Sequence, residues 1–186
     1  MKSSSAVLLA ALLLGLVISV PAQAELRPGD PAPDFTAPAA LGGQPFSFSL
    51  ADALKKGPVV LYFYPKAFTS GCTIEANRFA EAHDEYARLG ATVIGVSGDD
   101  IETLQRFSVT ECRNKFAVAA DADGRIMKSY DATMPFTTSY ARRVSYVISP
   151  EGRIAYAYSS MSPEQHVPNT LDAVRRWAAA SSASPR

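Results

Sequence analysis

The feature that most constrains the fold is an unbroken apolar stretch from Pro58 to Tyr64, which reads PVVLYFY. It is rich in β-branched and aromatic residues and is bounded by Gly57 and Pro65. A continuous run of this kind is typical of a central strand that is buried on both faces of its sheet. Such a strand needs helices on both sides, so the chain is predicted to be an α/β protein.

The segments that follow continue an alternation of helices and strands. Apolar residues recur at helical spacing from Cys72 to Leu89, and ATVIGVS at 91–97 is a second buried strand. Upstream, residues 25–44 are expected to form an extended arm, with Phe35-Thr36 its only strand-like piece, that leads into a short hairpin. The remaining predicted elements are a helix at 99–110, a strand at 116–120, a hairpin of 143–149 with 153–158, and a helix at 163–179.

This order of elements predicts a mixed central sheet with helices on both faces and an N-terminal hairpin extension. It is the order found in a thioredoxin-like fold. No internal repeat or linker divides the chain, so residues 25–186 are expected to form one domain.

The first 24 residues differ from the rest of the chain. Lys2 precedes an apolar run from Ala6 to Val20, and Ala22-Gln23-Ala24 follows it. This pattern predicts a secretory signal peptide with an Ala-x-Ala cleavage site. A membrane anchor is the alternative, but the run is shorter than the roughly 20 apolar residues that span a bilayer. We therefore expect export, to the bacterial periplasm, and no membrane attachment after cleavage.

Charge and histidine placement exclude several functions. The chain has 18 basic and 18 acidic residues, so no basic surface for nucleic acid is indicated. His83 and His166 stand apart from other potential ligands, which argues against a metal site. No Gly-x-Gly-x-x-Gly motif follows a strand, so no nucleotide cofactor is expected.

The chain has two cysteines, Cys72 and Cys112, which in an oxidising compartment either form one bridge or remain separately reactive. Cys72 follows a strand, a loop that opens at Pro65, and Gly71, so it is predicted in the first turn of a helix. Free N–H groups and the positive end of the helix dipole stabilise a thiolate there. The ordinary thiol pKa is about 8.5, and the thiolate is the nucleophile. Cys72 is therefore a candidate nucleophile.

The residues around Cys72 carry a family resemblance. PKAFTSGC at 65–72 resembles the Pro-x-x-x-Thr-x-x-Cys signature of peroxiredoxins, and LYFYPKAFTSGCTIE at 61–75 looks closest to their bacterioferritin-comigratory or Q-type branch. The similarity extends from about Leu26 to Trp177 and includes VIGVSGDD and RVSYVISPEGRI. It implies a peroxidase without cofactor or metal that reduces hydrogen peroxide and organic hydroperoxides.

The resemblance also implies roles for individual residues. Cys72 would be the peroxidatic cysteine, Thr69 would position the peroxide, Pro65 would shield the thiolate from water, and Arg143 would be the active-site arginine. Arg142 should point to the opposite face of its strand because side chains alternate. Two alternatives stay open: Thr69 as a helix N-cap, and Arg143 as a surface arginine paired with Glu75 or an aspartate.

The second thiol raises the question of how the oxidised cysteine is reduced. Many Q-type relatives carry a resolving cysteine five residues after the peroxidatic one, but Asn77 stands there. Cys112 is the remaining internal candidate, and the resemblance permits it. A bridge needs Cα atoms within about 7 Å, so we expect the turn around Cys72 to unwind on oxidation.

The expected cycle ends when a thioredoxin-like protein or another thiol reductant opens the bridge. Two alternatives remain: a one-cysteine cycle with an external thiol, and a non-catalytic thioredoxin-fold scaffold with a structural disulfide. The protein is expected to be a monomer or a weak homodimer.

Overall fold

A computed structural model describes residues 25–137 and 139–183. Seven strands form one mixed sheet in the order β2-β1-β5-β4-β3-β6-β7. The strands are β1 (Thr36–Leu41), β2 (Gln44–Ser49), β3 (Val59–Phe63), β4 (Thr92–Ser97), β5 (Ala117–Ala120), β6 (Val144–Ile148) and β7 (Ile154–Ser159). The helices are α1 (Leu50–Leu54), α2 (Ser70–Arg88), α3 (Ile101–Thr110), α4 (Arg125–Ser129) and α5 (His166–Ala183).

Strand β3 lies in the interior of the sheet, as the apolar run predicted. It pairs parallel with β4 and antiparallel with β6, and all five of its residues are buried. Val59, Leu61 and Phe63 belong to one core cluster, whereas Val60 and Tyr62 belong to the other. Since side chains alternate along a strand, the two clusters lie on opposite faces of the sheet.

Helices cover both faces, which confirms the predicted α/β class and thioredoxin-like fold. Buried residues of α2, α3 and α5 share the cluster that contains Tyr62. Residues of α1 and α4 share the other cluster, together with the N-terminal segment around Phe35. The face with α2 and α5 also contains both cysteines.

The N-terminal hairpin is more fully part of the sheet than predicted. Strand β1 pairs along its length with β2, and through Ala39 and Ala40 it also pairs with β5. The prediction of a single strand-like piece at Phe35-Thr36 was wrong because β1 reads TAPAAL, which has no β-branched residue after Thr36. Its small side chains suit a strand against which α3 packs closely.

Two five-residue helices were missed in the sequence. Helix α1 begins after Ser49, whose Oγ accepts a hydrogen bond from Asp52 N at 3.2 Å. Helix α4 begins after Gly124, and the Asp121 carboxylate accepts hydrogen bonds from its backbone N–H groups. Helices this short show too few apolar repeats to be recognised by periodicity.

The predicted signal peptide, residues 1–24, lies outside the described residues. Within the described ranges, none of the helices combines the length and the apolar character that crossing a bilayer requires.

Candidate active site

Cys72 lies in the first turn of α2, as predicted. Helix α2 starts at Ser70, directly after the loop that follows β3, so Cys72 is its third residue. The first N–H groups of a helix have no intrahelical partner and carry partial positive charge. The thiol is free and only 1% of the residue's surface is exposed. The sulfur is thus held in a dry site at the positive end of a 19-residue helix.

The end of β4 holds the loop before Cys72 in place. Asp99 Oδ2 accepts hydrogen bonds from Ala67 N and from Ser97 Oγ, both at 2.8 Å. Phe68 adopts a left-handed backbone conformation, with φ of 63°, and its ring packs edge-on against Phe107. A left-handed aromatic residue is uncommon, so tertiary contacts rather than local preference determine this turn.

Arg143 reaches the sulfur from the neighbouring strand. It directly precedes β6, and its Nη2 donates a hydrogen bond to Cys72 Sγ at 3.4 Å. Its Nε donates a hydrogen bond to Met161 O at 3.1 Å. Only 3% of the surface of Arg143 is exposed. Arg142 instead donates to Asp131 O and lies 3.8 Å from its carboxylate. The structure therefore brings Arg143 to Cys72 and directs Arg142 elsewhere.

A buried glutamate and a buried histidine lie behind this arginine. Glu75 Oε2 accepts a hydrogen bond from Arg143 Nη1, and Glu75 Oε1 lies 3.6 Å from His166 Nδ1. Burial raises the pKa of the Glu75 carboxyl to about 8, although Arg143 lowers it. Burial also lowers the pKa of His166 to about 4. The alternative hypothesis for Arg143 was right about a pairing with Glu75 but wrong about a surface location, because both residues are buried.

Neither Glu75 nor His166 was predicted as a site residue. Glu75 had a detectable signal, since a residue three positions after Cys72 shares its helix face. His166 had none, because α5 brings it to the site from the far end of the chain. It was considered only as a metal ligand. Among the described residues, no three His, Cys, Asp or Glu side chains are grouped to bind a metal ion.

Thr69 and Pro65 lie in the loop between β3 and α2, directly before the helix that carries Cys72. Thr69 is exposed, and its Oγ1 donates a hydrogen bond to Lys66 O at 2.9 Å. It occupies the N-cap position of α2 without a side-chain cap hydrogen bond, so its lone pairs remain able to accept one from a ligand. Pro65 is half-buried directly after Tyr64.

Cys112 lies in the loop after α3 and is fully buried and free. Burial raises the pKa of its thiol far above the ordinary range, and the neighbouring Glu111 adds to this. The loop runs along α2 through three polar contacts, which join Glu111 to Asn77, Arg113 to Glu81 and Lys115 to Asp84. Cys112 is therefore flanked by residues that bind the same helix that carries Cys72.

Comparison with known proteins identifies the family of this chain. Residues 28–157 match the AhpC/TSA family. Peroxiredoxin Bcp of Escherichia coli (strain K12) is 32% identical over 157 residues, which cover 82% of this chain and 95% of that protein. The chloroplastic Peroxiredoxin Q of Triticum aestivum is 32% identical over 144 residues, covering 72% of this chain and 66% of the wheat protein, slightly under two thirds.

Solved structures agree with these relatives. The crystal structure of peroxidoxin BcpB from Mycobacterium tuberculosis superposes with a TM-score of 0.74 at 28% sequence identity. The superposition covers 81% of this chain and 97% of the mycobacterial one. The chain therefore belongs to the AhpC/TSA family and, within it, to the peroxiredoxins of the Q and Bcp branch.

Proposed function

We propose that the protein is a thiol peroxidase that reduces hydrogen peroxide and organic hydroperoxides at Cys72. The observation that carries this proposal is the 3.4 Å contact between Arg143 Nη2 and Cys72 Sγ at the buried start of α2. A guanidinium and a helix N-terminus both favour a sulfur anion. Since the thiolate is the reactive form of cysteine, this placement prepares Cys72 for nucleophilic attack.

In the first step the Cys72 thiolate attacks one peroxide oxygen and the O–O bond breaks. Cys72 becomes a sulfenic acid, and the second oxygen leaves as hydroxide or alkoxide and takes a proton to form water or an alcohol. Arg143 donates hydrogen bonds as negative charge moves onto the leaving oxygen. The Thr69 hydroxyl positions the peroxide at the mouth of the site, and Pro65 limits the access of water.

In the second step the Cys112 thiol attacks the Cys72 sulfenic acid, which forms a disulfide and releases water. The contacts of the Cys112 loop with Asn77, Glu81 and Asp84 support this assignment, because they keep the loop against α2. Burial disfavours the Cys112 thiolate, so the loop must open for attack. Arg113 and Asn114 have left-handed backbones, with φ of 51° and 57°. This conformation is unfavourable for residues other than glycine, so it lowers the free energy needed to open the loop.

The cycle closes when an external dithiol reduces the bridge. A thioredoxin-like protein supplies two electrons and two protons by thiol–disulfide exchange, so Cys72 and Cys112 return as thiols. We also propose that residues 1–24 direct export to the periplasm, on the basis of the apolar run and the Ala-x-Ala site. Sequencing the N-terminus of the protein recovered from an expressing bacterium tests this, and an uncleaved Met1 in the cytoplasm would refute it.

The peroxidase is tested with reduced protein of residues 25–186 and one equivalent of hydrogen peroxide, followed by intact and peptide mass spectrometry. Rapid loss of two hydrogens with a bridge between Cys72 and Cys112 supports the full cycle. Sulfenic or sulfinic Cys72 beside unreacted Cys112 supports the peroxidase but rejects Cys112 as the resolving thiol. An unreacted Cys72 rejects the peroxidase.

A further inference from the structure

A buried carboxylate oxygen without a partner lies behind the active-site arginine. Glu75 is fully buried, and its Oε2 accepts from Arg143 Nη1. Its Oε1 has no hydrogen-bond partner within the described residues. A buried charged oxygen left unpaired is strongly unfavourable. This oxygen therefore favours a protonated carboxyl or a cationic neighbour.

The hydrogen bonds of His166 determine what faces that oxygen. Its Nε2 lies 2.9 Å from Ser160 O, and since a carbonyl oxygen only accepts, Nε2 carries a hydrogen. A neutral ring then has its lone pair on Nδ1, which lies 2.8 Å from Ser145 Oγ and 3.6 Å from Glu75 Oε1. An ionised Glu75 would place negative charge close to that lone pair, which raises the free energy of the carboxylate form.

We propose that the pair of Glu75 and His166 has no net charge in the reduced enzyme at neutral pH. A carboxylate beside a neutral imidazole would carry one negative charge, and the pair holds one proton more than that. His166 is thereby a positioning residue that acts through Glu75 and Arg143 on Cys72. This role rests on the proposed peroxidase function. The opposite pKa shifts that burial imposes on the two groups assign the proton to Glu75.

The consequence is a balance of charge in the buried site. If Glu75 were ionised, it would neutralise Arg143 and leave the buried Cys72 thiolate with only the partial positive charge of the helix N-terminus. With an uncharged pair, the guanidinium charge is available to the sulfur that it contacts at 3.4 Å. The pair therefore favours the thiolate without contacting the sulfur.

The other polar groups around Glu75 and His166 do not provide the same balance of charge for Arg143 and Cys72. The Tyr158 ring packs edge-on against His166. Burial holds the pKa of Tyr62 well above its ordinary value, so Tyr62 is neutral at physiological pH. Glu164 is exposed and favours a charged His166, whereas Arg143 disfavours it. Arg78, on the outer side of α2, is bonded to Glu164 O.

The test measures the alkylation of Cys72 by iodoacetamide at about pH 6.5 in reduced full-length protein, with the site assigned by peptide mass spectrometry. We expect His166→Leu to lower the rate about tenfold, because Glu75 then ionises more readily. We expect Glu75→Gln/His166→Leu to regain most of that loss, because glutamine is neutral. His83→Leu, which removes the other histidine, serves as the control. A double variant as slow as His166→Leu overturns the proposal, since it shows a packing effect only.

Two further measurements decide the question even if His166→Leu does not fold. The rate for Glu75→Gln should exceed that of the natural protein increasingly as pH rises through about 8, where Glu75 loses its proton. With only two histidines in the chain, ¹⁵N-histidine NMR should show His166 with Nε2 protonated and with Nδ1 responding in the same pH range. A response that persists in Glu75→Gln, or a neutral ring protonated at Nδ1, overturns the proposal.

These readouts separate this inference from the proposed function. Alkylation reports the thiolate and involves no peroxide. If the variants behave as expected but the protein does not reduce peroxide, the peroxidase proposal fails and the charge assignment of Glu75 and His166 stands.

Discussion

The two cysteines lie in the same apolar cluster yet have opposite surroundings. Cys72 is at the N-terminus of a long helix with Arg143 at 3.4 Å, whereas Cys112 is in a loop beside Glu111, and burial raises its pKa. Both are almost fully buried, so solvent exposure does not distinguish them. The difference teaches that nearby positive charge, and not accessibility, distinguishes Cys72, the proposed nucleophile, from Cys112.

The largest expected effect separates the two thiols directly. Cys72→Ser should reduce the rate of peroxide consumption at least about thousandfold, because no other activated nucleophile remains. Cys112→Ser should still oxidise Cys72 but should accumulate sulfenic and then sulfinic acid, because the bridge cannot form. Stopped-flow peroxide consumption combined with mass spectrometry measures both. Loss of the first oxidation step in Cys112→Ser would contradict the division of roles.

The second effect tests the positive charge next to Cys72. Arg143→Met should lower the second-order rate with hydrogen peroxide by about a hundredfold, because it removes a donor to both the thiolate and the leaving oxygen. Arg142→Met is a matched control, since Arg142 is the neighbour of Arg143 in the chain but its side chain binds Asp131. Peroxide consumption at neutral pH gives both rates. Equal losses in the two variants would show that the effect comes from strand packing and not from contact with sulfur.

The contact between Cys72 and Arg143 could be predicted from the sequence, but the buried pair of Glu75 and His166 behind it could not. Pro65, Thr69 and Cys72 lie in one continuous motif, and the family resemblance indicated Arg143. His166 escaped detection because only the packing of α5 against β6 and α2 brings it to Glu75. A buried pair formed by two distant elements leaves no periodicity or spacing for a sequence argument to find.

The prediction of the fold from the sequence was limited in the same way. The central strand and the long helices were predictable because many residues repeat one pattern. Strand β1 was not, since its small residues have little β-strand propensity and pairing with β2 and β5 holds it in the sheet. Its backbone conformation depends on tertiary contacts more than on local propensity.

A smaller effect tests the entrance to the Cys72 site. Thr69→Val should lower the second-order rate with hydrogen peroxide by about tenfold, because the bound peroxide loses one hydrogen-bond partner. Thr69→Ser keeps the hydroxyl and should retain most of the rate. Thermal unfolding of both variants checks that the loop is intact. If valine and serine gave the same rate, the hydroxyl would have no role in binding peroxide.

The smallest effect concerns stability and compares folded with unfolded protein in a Cys72→Ser background, so that the Cys72 thiol makes no contribution. The pKa of Glu75 is about 8 when folded and near 4.5 when unfolded, so between these values the folded state binds more protons. Its stabilising effect is present at low pH and is lost as the pH rises through 8. His166 acts in the opposite direction, but only between about 4 and its ordinary value of 6.5.

Between about pH 6.5 and 8 the Glu75 carboxyl therefore dominates the contribution of this pair. The free energy of unfolding should fall with rising pH by at most about 1.4 kcal/mol per unit from this group. Urea denaturation across this range measures the slope, and adding Glu75→Gln should flatten it by that amount. Equal slopes with and without Glu75→Gln would mean that Glu75 is already ionised. The charge of Arg143 would then be shared between Glu75 and Cys72, and the contrast between the two cysteines would depend mainly on the helix N-terminus.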